Sequence, residues 1–372
     1  MNMPNHIRQK ILSVNTQMDD VQANALIEAI DMYTPEEKEF RALLFKTQHP
    51  KYKEIEQAFN AYKNRLKTIP IEYVFLPKTE KDIMDIPIQN RVFIFWQSDE
   101  LGFIPGYLSL CLQTLVKFNP QVSLILINYD NLPELVGTDL DLQRLARLTL
   151  PIQSDLLVMY FIYKYGGVFV DVDAIYTGKF DLFHNADPNT LYAIGKTGAF
   201  AHLAFFMSVK KRSFLLWHIL QMQKVKLSTV PITGEMNLPW DLLGNSIINP
   251  LVVEAATSPD APNLHILSNT TVFLETQFGL AKKYDIKSYG WDIYNRFYFH
   301  QNPDISTEEI VKAPKHNMAC LHNSWTPKRF KAMNANEFLE QDIVMARIFK
   351  HLLGDVKNDG LIKIPRAKTR LF

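Results

Sequence analysis

Cysteine is nearly absent from this 372-residue chain, which has only Cys111 and Cys320. That excludes a disulfide framework and favours a reducing compartment, the cytoplasm. An excess of one charge is missing too: 40 Lys and Arg stand against 39 Asp and Glu, a formal net charge of +1. Electrostatic binding of bulk nucleic acid is therefore not expected, and only a local basic patch stays open. No run of 18 uncharged apolar residues occurs. The nearest stretch, 155–170, holds Asp155, Lys164 and two glycines, too polar to span a bilayer. The opening MNMPNHIRQKILSVNTQMDD contains no long apolar core and does not read as a secretory signal. A soluble cytoplasmic protein is expected, with peripheral contact at the inner membrane left open. Internal repeats and low-complexity tracts are lacking as well.

What is present is apolar and aromatic. Hydrophobic residues make up 47% of the chain, enough for a large core, and the length suits a catalytic domain of about 250 residues with an accessory segment. Residues 1–68 read as that accessory segment, all helical. Thr34-Pro35-Glu36-Glu37 has the pattern of a capping box, and further helices are expected near 18–32 and 51–66. Tyr52, Ile55, Phe59 and Tyr62 recur at helical spacing in the second. Residues 70–335 form the main domain. Residues 336–372 read as a late helix over 336–353 and a basic tail, KIPRAKTRLF.

In the main domain the pattern changes to short β-rich runs alternating with helices, the signature of an α/β sheet. The runs are RVFIFW (91–96), VSLILIN (122–128) and GVFVD (167–171). LYAIG (191–195) and AFFMSV (204–209) add two more. Helices are expected near 105–118, 140–148 and 154–165.

One stretch concentrates the chemistry: SDLLVMYFIYKYGGVFVDVDAIY, residues 154–176. Ser154 is the expected helix N-cap, which places Asp155 in the first turn. Gly166-Gly167 ends the helix. If the glycines reverse the chain, the next strand returns along the helix and carries Asp171 and Asp173 back towards Asp155. Strand alternation would put Asp171 and Asp173 on one face with Val172 opposite. Three converging carboxylates are costly without a cation. Acids at the carboxyl end of a strand suit an oxygen-rich Mg²⁺ or Mn²⁺ site that also holds phosphate oxygens. An isolated DxD is common, and a solvated turn is the bland alternative.

The same stretch resembles the sugar-nucleotide-binding block of DxD-containing glycosyltransferases. The closest pattern is the group with glycosyltransferase family 32, capsular polysaccharide synthesis transferases and the large clostridial glucosylating toxins. The resemblance covers roughly residues 88–330 and implies a GT-A (Rossmann-like) nucleotide-sugar transferase domain preceded by the helical segment. RVFIFWQSDELGFIP resembles the family's first strand, implying that Trp96 meets the nucleotide base. LCLQTLVKFNPQVSLILIN resembles the next helix and strand. CLHNSWTP resembles a C-terminal element, implying His322 or Asn323 at the metal and Ser324 and Trp325 at the diphosphate. ITGEMNLPWDLLGNS (232–246) resembles a Thr-Gly segment near the acceptor cleft.

By this resemblance the donor is a nucleoside-diphosphate sugar, a UDP-sugar first, and transfer retains the anomeric configuration. Mn²⁺ or Mg²⁺ would sit on Asp171 and Asp173. Asp171 would also reach ribose and sugar hydroxyls, Asp155 the sugar hydroxyls, and Gly166 and Gly167 belong to the donor block. The acceptor would be a carbohydrate, a lipid-linked glycan or a protein. The setting is cell-surface polysaccharide or lipopolysaccharide synthesis, or else a secreted effector that glycosylates host proteins. One position departs: Val158 stands where the family has arginine, which would change donor contacts.

Two readings from other classes compete. GVFVDVDAIYTG and GDVKND (354–359) resemble haloacid-dehalogenase-type phosphohydrolase motifs. Against that, Ile175 stands where Thr or Val is usual, and a helix ending in two glycines is not that pattern. The other is an inert nucleotide-binding module, disabled at Val158.

Overall fold

The computed structural model describes residues 74–97, 104–181, 185–196, 199–233, 238–257, 263–268, 291–314 and 316–354. The helices expected within 1–68 lie outside the described residues, as do the basic tail and GDVKND beyond Gly354.

The described elements begin with β1 (Val74–Phe75), α1 (Glu80–Met84), β2 (Arg91–Phe95), α2 (Gly106–Phe118) and β3 (Ser123–Ile127). Next come α3 (Leu132–Val136), α4 (Leu142–Leu145), α5 (Leu150–Tyr165), β4 (Gly167–Val170) and β5 (Ala174–Tyr176). β6 (Leu191–Lys196), β7 (Phe200–Ser208), α6 (Phe214–Ser228), α7 (Asn245–Thr257) and β8 (Leu264–Ser268) follow. The last are α8 (Trp291–Tyr298), α9 (Thr307–Lys312), β9 (Met318–Cys320), α10 (Lys328–Lys331), α11 (Ala335–Leu339) and α12 (Val344–Leu353).

The main sheet has seven strands in the order β1-β3-β2-β4-β7-β6-β8. Only β7 runs against the rest: it is antiparallel to both β4 and β6, while the other neighbours pair parallel. β2 and β4 are buried along their whole length, and β3 beyond its first residue, which is why they read as unbroken apolar runs. Alternation splits their side chains into two cores. Val92, Ile94, Leu124, Leu126, Val168 and Val170 face one side with α2 and the C-terminal helices. Phe93, Phe95, Ile125, Ile127 and Phe169 face the other with α3 to α7. The result is three layers, helix on sheet on helix. β5 leaves this sheet and pairs antiparallel with β9 in a second, two-stranded one.

The expected strands all form. Three helices differ from expectation. The helix expected near 140–148 is confined to Leu142–Leu145. α5 starts at Leu150, with Thr149 as N-cap and Pro151 in the first turn, so Ser154 is not the cap and Asp155 lies in the second turn. The late helix is broken into α11 and α12, because the backbone at Ile343 is extended, with φ −131° and ψ 157°.

Beyond α5 the chain reverses at two glycines that need their freedom. Gly166 has φ +64° and Gly167 φ +109°, regions costly for any side chain. Here Arg91, a buried residue, closes the corner. Its guanidinium donates to the carbonyls of Tyr165 (2.5 Å), Ile86 (2.7 Å) and Met84 (3.0 Å), so a cation caps the negative end of α5.

β2 is flanked by β3 on one side and β4 on the other. α2, which leaves β2, and α5, which enters β4, lie on opposite faces of the sheet. Such a reversal opens a crevice at the strand carboxyl ends, here between Trp96 after β2 and Asp171 after β4.

α2 lies on that crevice's flank with no room to spare. A Cβ on Gly106 would come within 2.7 Å of the Met333 carbonyl and overlap the Asn334–Ala335 peptide. Gly106→Ala should therefore lower stability by about 1–3 kcal/mol. Urea unfolding checks this, as a lower midpoint with an unchanged slope.

Candidate active site

The acids come together because two lengths match. From Asp155 to Tyr165 the helix rises about 15 Å, and from Gly167 to Asp171 the strand covers about 13 Å. Reversal at the glycines thus returns Asp171 to the level of Asp155. Strand alternation does not place Asp173, since β4 ends at Val170. The Asp171 N–H still donates to the Ala204 carbonyl at 2.8 Å, and the Ala174 N–H then closes a turn on the Asp171 carbonyl at 3.2 Å. Asp173 is carried at the start of β5 and is 8% exposed.

Burial pushes the carboxyls of Asp155, Asp171 and Asp173 above the usual range. Mutual repulsion adds to it: Asp171 acts on both Asp155 and Asp173. Asp241 also acts on Asp155, a fourth acid that sequence reasoning does not single out although it lies in the 232–246 segment. A different contact fixes this side: the Gln223 side chain of α6 donates to the Asp155 carbonyl at 2.9 Å and the Leu243 carbonyl at 2.6 Å. Gly244 leaves space for the Asp155 carboxylate, which a Cβ there would overlap.

The 321–326 segment locks onto Asp173 through its backbone. The Asn323 N–H donates to Asp173 Oδ2 at 2.9 Å, and the Leu321 N–H to the Asp173 carbonyl at 2.9 Å. The Asn323 side chain faces the other way, accepting from the buried Tyr107 hydroxyl through Oδ1. His322 and Trp325 stack with ring centres 3.9 Å apart. Burial, with His202 nearby, drives the His322 imidazole down to about 4, so it is neutral at pH 7, and its Nε2 is buried with no hydrogen-bond partner. Ser324 is exposed and Trp325 half-buried. Lys331 on α10, which sequence reasoning also misses, lies within electrostatic reach of Asp173. Burial and Lys328 lower its ammonium to about 8.

Trp96 belongs to the same end of the sheet. Phe93 stands opposite Phe169 in the ladder, so Trp96, three residues on, is level with the Asp171–Asp173 turn. It is half-buried against the core, and its backbone N–H donates to the Ile127 carbonyl at 3.1 Å. Gly166 and Gly167 are not brought here. They occupy the start of β4, packed on Ile88 and Arg91, and their part is the chain reversal. Val158 is buried in the second core, where an arginine would carry an unpaired charge.

Divalent-metal fit can be judged from these groups. Among the described residues, no three His, Cys, Asp or Glu side chains enclose a metal position by themselves. Crowded carboxylates and an orphaned neutral imidazole nitrogen nevertheless suit a hard cation that takes its remaining ligands from substrate oxygens and water. The residues fit such an open site.

The crowding has a stability cost that can be measured. Asp171→Asn, studied in EDTA, should stabilise the chain by about 0.5–2 kcal/mol at pH 8. A carboxyl whose folded pKa lies above its unfolded value destabilises only where it is ionised. The penalty is complete above the folded pKa and absent below the unfolded one, near 4. Urea midpoints at pH 8 and pH 4 should therefore show the gain shrinking as pH falls; equal gains at both would assign it to packing.

Residues 105–191, from the cap of α2 to the first residue of β6, match the family model described as a glycosyltransferase sugar-binding region containing a DXD motif. No curated protein matches the chain. The matched segment contains Asp155, Asp171 and Asp173, on a mixed α/β fold with a mostly parallel seven-stranded sheet that is GT-A-like. The match supports a DXD-type glycosyltransferase, and the matched segment holds the pattern Asp-x-Asp at Asp139-Leu140-Asp141 and at Asp171-Val172-Asp173, the second just past the carboxyl end of β4.

Proposed function

We propose that the chain transfers a sugar from a nucleoside diphosphate, a UDP-sugar first, to a hydroxyl acceptor with retention of configuration. The observation that carries this reading is the convergence of Asp155, Asp171 and Asp173 beside Trp96, at the crevice where the strand order reverses. The resemblance to family 32, capsule and toxin transferases belongs to this proposal.

In this reading Trp96 stacks on the base and Asp155, with Asp241 behind it, receives the sugar hydroxyls. Asp171 and Asp173, with His322 Nε2 nearby, would hold Mn²⁺ or Mg²⁺. Asn323 contributes through its backbone N–H, which orients Asp173, and Ser324 and Trp325 meet the diphosphate. When bound, the metal neutralises the leaving diphosphate. Lys331 adds a positive charge on the same side. The sugar C1–oxygen bond to the diphosphate breaks, the acceptor oxygen takes C1, and its proton leaves with the diphosphate. Positioning and preorganised charge do most of this work. Val158 is buried in the second core, so sugar recognition falls on Asp155 and Asp241.

A donor screen tests the reading. Incubation with nucleotide sugars and Mn²⁺ should release nucleoside diphosphate, and EDTA or Asp173→Asn should cut the rate by at least about 100-fold with circular dichroism unchanged. Turnover that survives both would sink the metal site. Hydrolysis of p-nitrophenyl phosphate instead would favour the phosphohydrolase, and tight nucleotide binding without turnover the inert module.

The acceptor side belongs to the same proposal. It is a polysaccharide or lipid-linked glycan in the cytoplasm, with a host protein met by a secreted chain as the alternative. Residues 1–68 select it, because every donor-side group named above lies downstream. A chain starting near residue 70 should hydrolyse donor at the full-length rate yet fail to label an extract that the full chain labels. A folded truncation without donor hydrolysis would return those residues to the active site.

A further inference from the structure

α6 is apolar on both sides, and only one side is covered by the described residues. Its inner face, Leu216, Ile219, Leu220 and Leu227, is buried in the second core. The opposite side carries Phe214 at 79% exposure, Trp217 at 41%, Met222 at 37% and Val225 at 67%. At about 100° per residue these four fall on one outer stripe. Phe214 and Trp217 already stack on each other in the open, ring centres 5.7 Å apart. A helix apolar all round expects a partner on each side.

The charge around the stripe points to that partner. Residues 209–229 contain Lys210, Lys211, Arg212, Lys224 and Lys226 and no Asp or Glu, in a chain whose net charge is only +1. Lys224 and Lys226 flank the stripe on its two sides. Arg212 is held at its N-terminal end by an uncommon backbone: φ is +54°, pinned by its N–H on the Tyr163 carbonyl at 2.8 Å. Backbone outliers of this kind cluster at ligand clamps and other functional sites. Arg212, Lys224, Lys164, Trp217 and one acid, Asp139, border a cleft of about 260 Å³, with Lys224 in electrostatic reach of Asp139. Lys164 there is paired with Glu80 and Asp139, whereas the Arg212 side chain has no carboxylate partner among the described residues.

We infer that the outer face of α6 docks on an anionic lipid bilayer, with Phe214, Trp217 and Val225 entering the interface. Arg212 and Lys224 meet lipid phosphates at the cleft between them. Aromatic residues on the apolar side and Lys or Arg around it are the composition of an interfacial helix. The placement also has a consequence for the acidic end. Gln223, which holds the Asp155 carbonyl, is on the inner side of the same helix, so Asp155 lies about one helix diameter, ~10 Å, from the stripe. The docking does not depend on which reaction the acids perform.

Cosedimentation of the full chain with vesicles tests this. The chain should pellet with phosphatidylcholine–phosphatidylglycerol vesicles, stay in solution with phosphatidylcholine alone, and be released by salt. Lys210→Glu with Arg212→Glu and Lys224→Glu should weaken binding roughly 100-fold, at about fivefold for each basic residue lost. Phe214→Ser with Trp217→Ser should weaken it at least about tenfold. Circular dichroism should match the parent in both, since Lys210, Arg212, Phe214 and Trp217 are exposed and Lys224 is half-buried at the surface. Equal binding to neutral and anionic vesicles, or binding that survives both variants, would overturn the inference. So would an absence of vesicle binding together with self-association removed by Phe214→Ser and Trp217→Ser, which would assign the stripe to a second copy. Protection of Trp217 from a soluble quencher in the vesicle-free monomer would assign the stripe to another segment of this chain and overturn the inference as well.

Discussion

Like charges held close together in a buried place are the constraint around which this structure is arranged. Asp155, Asp171, Asp173 and Asp241 come from a helix, a strand end, the turn after it and a loop before α7; Asp171 raises the cost of ionising Asp155 and Asp173, and Asp241 that of Asp155. A fold tolerates such crowding only if other interactions hold the acids there and a cationic or hydroxyl-rich ligand relieves it. The surroundings supply the holding. Gln223 ties α5 to the loop at Leu243, and the backbone of Leu321 and Asn323 grips Asp173 from the second sheet. The electrostatic strain is therefore concentrated at the carboxyl end of β4.

Rigidity around the cluster comes from apolar packing on both sides of the sheet and from a single buried cation. Arg91 is far from the acids and plays no part in their chemistry. It binds the end of α5 to α1 and β2, and so fixes the level at which the helix begins and Asp155 sits. Tyr107 acts similarly from α2, through Asn323. Positioning is thus distributed over residues that never touch a substrate, as expected where sub-ångström placement matters.

α6 joins these two themes. Its inner face completes the second core and carries Gln223 to Asp155, while its outer face leaves aromatic and basic side chains in water. A transferase whose acceptor is lipid-linked would gain from an interface next to its donor site, because both substrates are then confined to one plane. The arrangement also explains why composition alone does not reveal the face: a net charge of +1 averages a basic segment with acids located elsewhere.

Much is legible in the linear chain because it depends on short-range periodicity. The five expected strands of the main sheet, the α2 helix and the helix–glycine–strand reversal follow from apolar runs of strand length, helical spacing and a Gly-Gly stop. The convergence of Asp155 with Asp171 follows from two rise-per-residue constants. Features set by contacts between distant segments are not legible in this way. Lys331 joins the site only because β9 pairs with β5, and Asp241 only because the loop before α7 folds back onto α5; no local pattern marks either. Ser154 resembles a cap because Ser is a good one, but α5 gains another turn by packing Ile152 and Gln153 into the core. Gly166 and Gly167 are adjacent to the acids in sequence and a strand's length away in space. That Asp155 and Asp171 meet at the end of a buried strand is written into the linear chain, since the geometry of one helix and one strand requires it, whereas Asp173 is placed by the turn after β4 and by the Leu321–Asn323 backbone. Which other groups face them, and which side of α6 stays uncovered, is settled only by folding in three dimensions, since both depend on which surfaces the rest of the chain buries.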